Sequence, residues 1–98
     1  MMKAIFISYN QAYNEEIVEV LEKFGQRGFT RWDEVLGRGS VDGTPHMGNH
    51  AWPEFNNAVL TITEDETVPK ILAELKSMDD AAHDLGLRAF VWNIETIY

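Results

Sequence analysis

Ninety-eight residues, 45% of them hydrophobic and 24% charged, are enough for one domain with a modest core and too few for a second. The formal charge of −8, with eight Lys and Arg that never cluster, argues against nucleic-acid binding and against anionic membrane surfaces. With no cysteine, disulfide scaffolds, thiolate zinc sites and cysteine nucleophiles are excluded.

The opening residues, MMKAIFISYNQAYNEE, hold too short an apolar run for a signal peptide. No run approaches the roughly 20 apolar residues of a membrane span. The expectation is a soluble cytoplasmic protein, one domain over 1–98, with no direct membrane insertion. Lys3 to Tyr9 is β-branched and aromatic on nearly every position, which predicts a central first strand. Asn14 then offers a helix cap, with Glu15 and Glu16 in the first turn where the helix dipole favours negative charge. Ile17, Val20, Leu21 and Phe24 form an apolar stripe, and Gly25 and Gly28 supply the stop, so the first helix is predicted over Asn14 to Gln26.

Phe29 to Leu36 reads as a second strand whose mixed faces suit an edge position. After it, residues 37–53 (GRGSVDGTPHMGNHAWP) hold four of the seven glycines and two of the three prolines, which rules out an interior helix or strand. So long a connection in so small a domain points to function. Glu54 to Glu64 is the third strand, placing Ala58, Leu60 and Ile62 on one face and Phe55, Asn57, Val59 and Thr61 on the other. The second helix begins near Thr67 with Pro69 in its first turn, and Val68, Ile71, Leu72, Leu75, Met78, Ala82 and Leu85 keep helical period until Gly86. Arg88 to Tyr98 closes the chain as a fourth strand.

The order βαββαβ predicts a ferredoxin-like α+β fold: a four-stranded antiparallel sheet, both helices on one face, and the long loop between strands two and three. The other face then lacks cover from its own chain. Trp32, Phe55, Val59 and Trp92 are candidates for it, and such a face predicts a homo-oligomer.

The strand opening Met-Lys-Ala-Ile, the helix with Glu15-Glu16-Ile17-Val18, the turn Gly25-Gln26-Arg27-Gly28-Phe29-Thr30 and Gly37-Arg38-Gly39 opening the loop resemble the P-II signalling proteins. The resemblance covers most of the chain in layout and is specific in residues from about Gly25 to Gly39. It implies a non-enzymatic homotrimer with its sheets around the central axis, a loop (the T-loop) that reaches a target protein, and an adenine nucleotide held between subunits at Gly37, Arg38 and Gly39. Two departures stand out. The segment after the second helix, SMDDAAHDLGLRAF, is acidic where P-II proteins proper carry a glycine-rich basic loop, and no tyrosine lies between Gly37 and Pro53 for modification. The stretch DGTPHMGNHAWP is similar to the P-II-like group encoded beside heavy-metal efflux pumps, which implies a membrane transporter as the target.

As chemistry, His46, Met47 and His50 make a soft ligand set suited to Cu(I) or Ag(I), with Trp52 placed for a cation–ring contact and Asp42 for an added carboxylate. The plainer reading makes Asp42, His46, Met47, His50 and Trp52 contacts of a docking loop. Gly37-Arg38-Gly39 reads either as an anion-binding nest or as a hinge. His83 reads as a solvated surface histidine. No serine-histidine-acid order or Walker loop is present, so an enzyme is not expected. The lesser alternative is a small ferredoxin-like enzyme with His46 or His50 in an enclosed pocket.

Overall fold

The computed structural model describes residues 1–37, 47, 55–82 and 84–98. Its elements are β1 (Met2–Asn10), a 3-10 turn (Gln11–Tyr13), α1 (Asn14–Lys23), β2 (Thr30–Val35), β3 (Asn56–Glu64), α2 (Val68–Ala81) and β4 (Arg88–Asn93). The strands form one antiparallel sheet in the order β2-β3-β1-β4, which is the ferredoxin-like α+β arrangement with β2 at an edge.

Strand alternation decides which side each residue serves. Ile5, Ile7 and Tyr9 of β1 point to the helices and have no exposed surface. There they meet Ile17, Val20 and Leu21 of α1 and Val68, Ile71 and Leu75 of α2. Each fully buried aliphatic side chain of this kind contributes about 1.5–3 kcal/mol. The register pairs Ile7 with Val59 and Ala89, and Ile5 with Thr61 and Val91, so these residues share the helix side.

The opposite face carries Ala4, Phe6 and Ser8 of β1, Ala58, Leu60 and Ile62 of β3, Phe90 and Trp92 of β4 and Trp32 of β2. No described helix covers it. Trp32, Phe90 and Trp92 keep 44%, 56% and 47% of their surface exposed. Trp32 and Trp92 therefore lie where the sequence pattern put them. Val59 does not: it is fully buried in the core, because it sits opposite Ile7. Phe55 precedes β3 and is half-buried.

Helix ends differ from the sequence expectation for local and long-range reasons. α1 stops at Lys23, where Gly25 takes φ +75° and the amides of Gly25 and Gln26 bond back to the carbonyls of Glu22 and Leu21. This pattern satisfies the orphan carbonyls of the last turn. The Gln26 side chain then ties the turn to β3, donating to Thr61 Oγ1 and the Ile62 carbonyl, both at 2.7 Å.

α2 ends at Ala81, five residues before Gly86, with Ala82 already extended. Leu85 is still buried, because Asn10 donates from its backbone to the Leu85 carbonyl (2.8 Å) and from Nδ2 to the Asp84 carbonyl (3.1 Å). β4 ends at Asn93 rather than Tyr98, with one further bond from the Ile94 amide to Met2. Asn14 is not a cap. It is the first residue of α1, while Asn10 caps the 3-10 turn by accepting from the Ala12 amide at 3.0 Å.

Candidate functional site

β2 runs in register with β3 as far as Trp32 opposite Ala58, then slips before Val35 meets Asn56. Asp33 and Glu34 thus face the single residue Asn57, which is a β-bulge. Within it Glu34 is left-handed at φ +55°. Asn57, 5% exposed, fills the gap: Oδ1 accepts the Glu34 amide at 3.3 Å, and Nδ2 donates to Asn14 Oδ1 at 3.2 Å. The same Asn14 oxygen accepts the Tyr9 hydroxyl at 2.5 Å. Burial pushes the Tyr9 hydroxyl up to about 12, against the lowering effects of the Arg31 charge and the Asn57 hydrogen bond. Arg31 itself is held by Asp33, Nε to Oδ1 at 2.8 Å.

On the opposite side of the sheet the base of the loop is held by the neighbouring asparagine. Asn56, 2% exposed, donates to Ser8 Oγ at 3.4 Å, and a Cβ on Gly37 would come within 2.9 Å of Asn56 Nδ2. Gly37 is not among the left-handed glycines, so a side chain there would meet the buried Asn56 amide and not a backbone constraint. Ser8 pairs across β1 and β4 with Arg88, which places that residue at the same end of the open face. Arg88 donates to the Leu87 carbonyl at 2.9 Å, and no acid among the described residues pairs with it.

A groove of about 360 Å³ adjoins this point, lined by Phe6, Ser8, Trp32, Val35, Leu36 and Ala58. The Phe6 and Trp32 rings are 6.3 Å apart and tilted. Aromatic walls, a hydroxyl, a side-chain amide and a close-packed glycine therefore meet at the loop base, with Arg88 one strand away opposite Ser8. This set can hold a flat ring with an anionic group attached.

Of the residues singled out from sequence, the described structure contains Gly37 at this convergence and Met47, which is half-buried. Arg38, Gly39, Asp42, His46, His50, Trp52 and His83 lie outside the described residues. Among the described residues no group of three or more His, Asp or Glu is placed to hold a metal ion. Ser8, Asn56, Asn57 and Arg88 were not anticipated. Two consecutive asparagines at the start of a strand are the signal that was available, since asparagine is depleted in strands unless its amide has a task.

A family model described as nitrogen regulatory protein P-II matches residues 2–98. The chain belongs to the P-II family. Its likeness to solved structures covers nearly the whole chain. A PII-like signaling protein from Thermus thermophilus aligns with TM-score 0.70 at 22% identity, covering 95% of this chain and 86% of that one. CPII from Thiomonas intermedia K12, described as a nitrogen regulatory PII-like protein bound to ADP, AMP and bicarbonate, aligns with TM-score 0.74 at 16% identity, covering 97% and 89%. Its apo form aligns with TM-score 0.70 at 15% identity, covering 95% and 90%. At these identities the structures establish a shared P-II-like fold. A search of curated proteins finds no match. No helix among the described residues is long and apolar enough to cross a membrane.

Proposed function

We propose that this P-II family chain is a non-enzymatic regulator that works as a homotrimer, takes an adenine nucleotide of low charge at the loop base, and docks on a target protein through the 37–53 loop. The observation that carries the reading is the meeting of Gly37, Asn56 and Ser8 beside the Trp32 groove, with Arg88 in register opposite Ser8. Gly37, Arg38 and Gly39 supply amides and a guanidinium to the effector, and Arg88 adds a second cation. The ADP and AMP bound to the structurally similar CPII support this choice of effector.

AMP and ADP are favoured over ATP because the chain from the end of α2 to β4 carries Asp79, Asp80 and Asp84 and no Lys or Arg before Arg88. The Asp84 carboxylate accepts the Tyr13 hydroxyl at 2.5 Å, and the Asp84 carbonyl accepts from Asn10, which stands opposite Asn56, so this acid adds negative charge near the loop base without donating to phosphate. For the target, a heavy-metal efflux transporter is the partner implied by the loop's DGTPHMGNHAWP, with Asp42, His46, Met47, His50 and Trp52 as the docking contacts. A soft ion such as Cu(I) on His46, Met47 and His50 is a second use of the same loop that rests on its sequence.

Calorimetry with AMP, ADP and ATP tests the effector reading. AMP and ADP are expected to bind more tightly than ATP. Arg88→Ala is expected to weaken them about tenfold, the value of one charge-assisted hydrogen bond. Absence of heat with all three nucleotides at millimolar concentration overturns the reading.

A further inference from the structure

We propose that Asn57 is a positioning residue for the loop base: it holds the Glu34 bulge in place and so sets the groove and Gly37 without touching the effector. The inference rests on the effector reading above, and it begins from a conformation that needs an explanation. Glu34 is the one described non-glycine residue in the left-handed region, at φ +55°. That conformation is sterically unfavourable for a residue with a Cβ, which comes too close to the following carbonyl oxygen. Glu34 is neither asparagine nor aspartate, whose side chains relieve the cost by local hydrogen bonding. The compensation has to come from elsewhere.

It comes from the partner strand. Asn57 Oδ1 accepts the Glu34 amide, and the geometry leaves little choice of residue. The position must accept from a backbone N–H on one side and donate to Asn14 Oδ1 on the other, a pairing that a short side-chain amide satisfies and a carboxylate does not. The Tyr9 hydroxyl fixes Asn14 in turn, so a hydrogen-bonded chain runs from the end of β1 through the first turn of α1 to the bulge. Asn57 sits on the helix side of the sheet, opposite Tyr9, away from the groove.

The bulge matters because of the residues just beyond it. Val35 and Leu36 line the groove and Gly37 packs against Asn56, all within three residues of Glu34. Removing one residue's slip from a strand pair exchanges the faces of every residue beyond it. Without the bulge, Val35 leaves the open face and Gly37 no longer meets Asn56. Affinity at the loop base is thereby reduced by the fraction of molecules in which the bulge is formed.

The test uses Asn57→Ala, Asn57→Asp, Glu34→Gly and the double variant Glu34→Gly/Asn57→Ala, each in the full chain. Two readouts need no ligand: exchange of the Glu34 amide and the amide resonance of Gly37. The third is calorimetry with AMP and ADP. Asn57→Ala is expected to speed Glu34 exchange, move the Gly37 resonance and weaken nucleotide binding about tenfold, corresponding to a bulge populated in about a tenth of molecules. Glu34→Gly in that background restores the Gly37 resonance and returns affinity to within about twofold of wild type, because glycine takes φ +55° without the steric cost. Glu34→Gly does not rescue Arg88→Ala.

If Asn57→Ala fails to fold, Asn57→Asp decides. Its retained acceptor is expected to keep Glu34 protected while the bond to Asn14 is lost. An unchanged Gly37 resonance in folded Asn57→Ala, no rescue by Glu34→Gly, or an unprotected Glu34 amide in the wild type or in folded Asn57→Asp overturns the proposal. If wild type binds no nucleotide, the effector reading fails separately, and exchange and the Gly37 resonance still decide the role of Asn57.

Discussion

Tyr9 joins the core to the candidate site: its ring is fully buried and its hydroxyl ends in Asn14. Its hydroxyl is raised to about 12 in the folded state, chiefly by burial, against about 10 for an unfolded tyrosine. Below pH about 10 both states hold the proton and the contribution is fully present. Between about 10 and 12 the unfolded chain releases its proton first, so stability falls as pH rises, by about 2–3 kcal/mol in all. Denaturant titrations across this range are expected to show the decline in wild type and a flatter profile in Tyr9→Phe, which also loses about 1 kcal/mol at neutral pH with the Asn14 bond. Equal slopes would show that Tyr9 ionises no differently in the two states. The rest of the site was only partly legible at this scale. Gly37 stood out because, with Arg38 and Gly39, it opens the long loop, yet its approach to Asn56 depends on a residue nineteen positions away. Asn14 invited a cap assignment because its neighbours Glu15 and Glu16 suit a first turn, and the Tyr9 hydroxyl that takes up its side chain comes from another element.

At the level of elements, periodicity was a sound guide to interiors and a poor one to ends. Ile17, Val20 and Leu21, and likewise Val68, Ile71 and Leu75, are buried as their spacing implies, since helix packing reads the same stripe that the sequence displays. The end of α2 was not legible, because Leu85 keeps the period while Asn10, seventy-five residues earlier, draws the segment at Asp84 and Leu85 out of the helix. The faces of β3 were separable in the sequence, but which one met the helices was not. The helix side holds Asn57, Thr61 and Thr63, each buried, and is the more polar of the two. Asn10 therefore links two elements, and its removal should show in both. Asn10→Ala loses the bond to the Ala12 amide and the bond to the Asp84 carbonyl, and is expected to cost about 1–2 kcal/mol. Amide exchange should accelerate at Ala12 and at Leu85 together. Asn10→Asp, which keeps the acceptor for Ala12 and loses the donor to Asp84, should protect Ala12 while leaving Leu85 exposed to exchange. Acceleration at one place alone in Asn10→Ala would mean that the two segments are held independently.

For the whole molecule, the distribution of charge argues in the same direction as the uncovered sheet face. The net charge is −8, and Glu15, Glu16, Glu19 and Glu22 all lie exposed on α1, on the side away from the open face. Among the strand residues that the ladders place on the open face, only Arg88 and Glu64 are charged, and they stand at opposite ends. Between them lie Phe6, Trp32, Leu60, Ile62, Phe90 and Trp92. Apart from Glu64 at one end, the acids that repel other copies are thus kept off the surface on which the proposed trimer closes, and apolar burial there makes up for the small core of one chain. Burying a carboxylate in that patch with no partner costs several kcal/mol per site, repeated in every subunit. Light scattering is expected to give a trimer for wild type and a folded monomer for Trp92→Asp. Trp92→Phe keeps most of the apolar surface and should stay trimeric. The same experiment connects assembly to the effector, since the Trp32 groove opens on this face: nucleotide affinity should fall in Trp92→Asp although Gly37, Asn56 and Arg88 are untouched. A wild type that is monomeric at micromolar concentration, with helix content and melting unchanged by Trp92→Asp, would remove the trimer from the proposal and leave the open face without an occupant from its own kind.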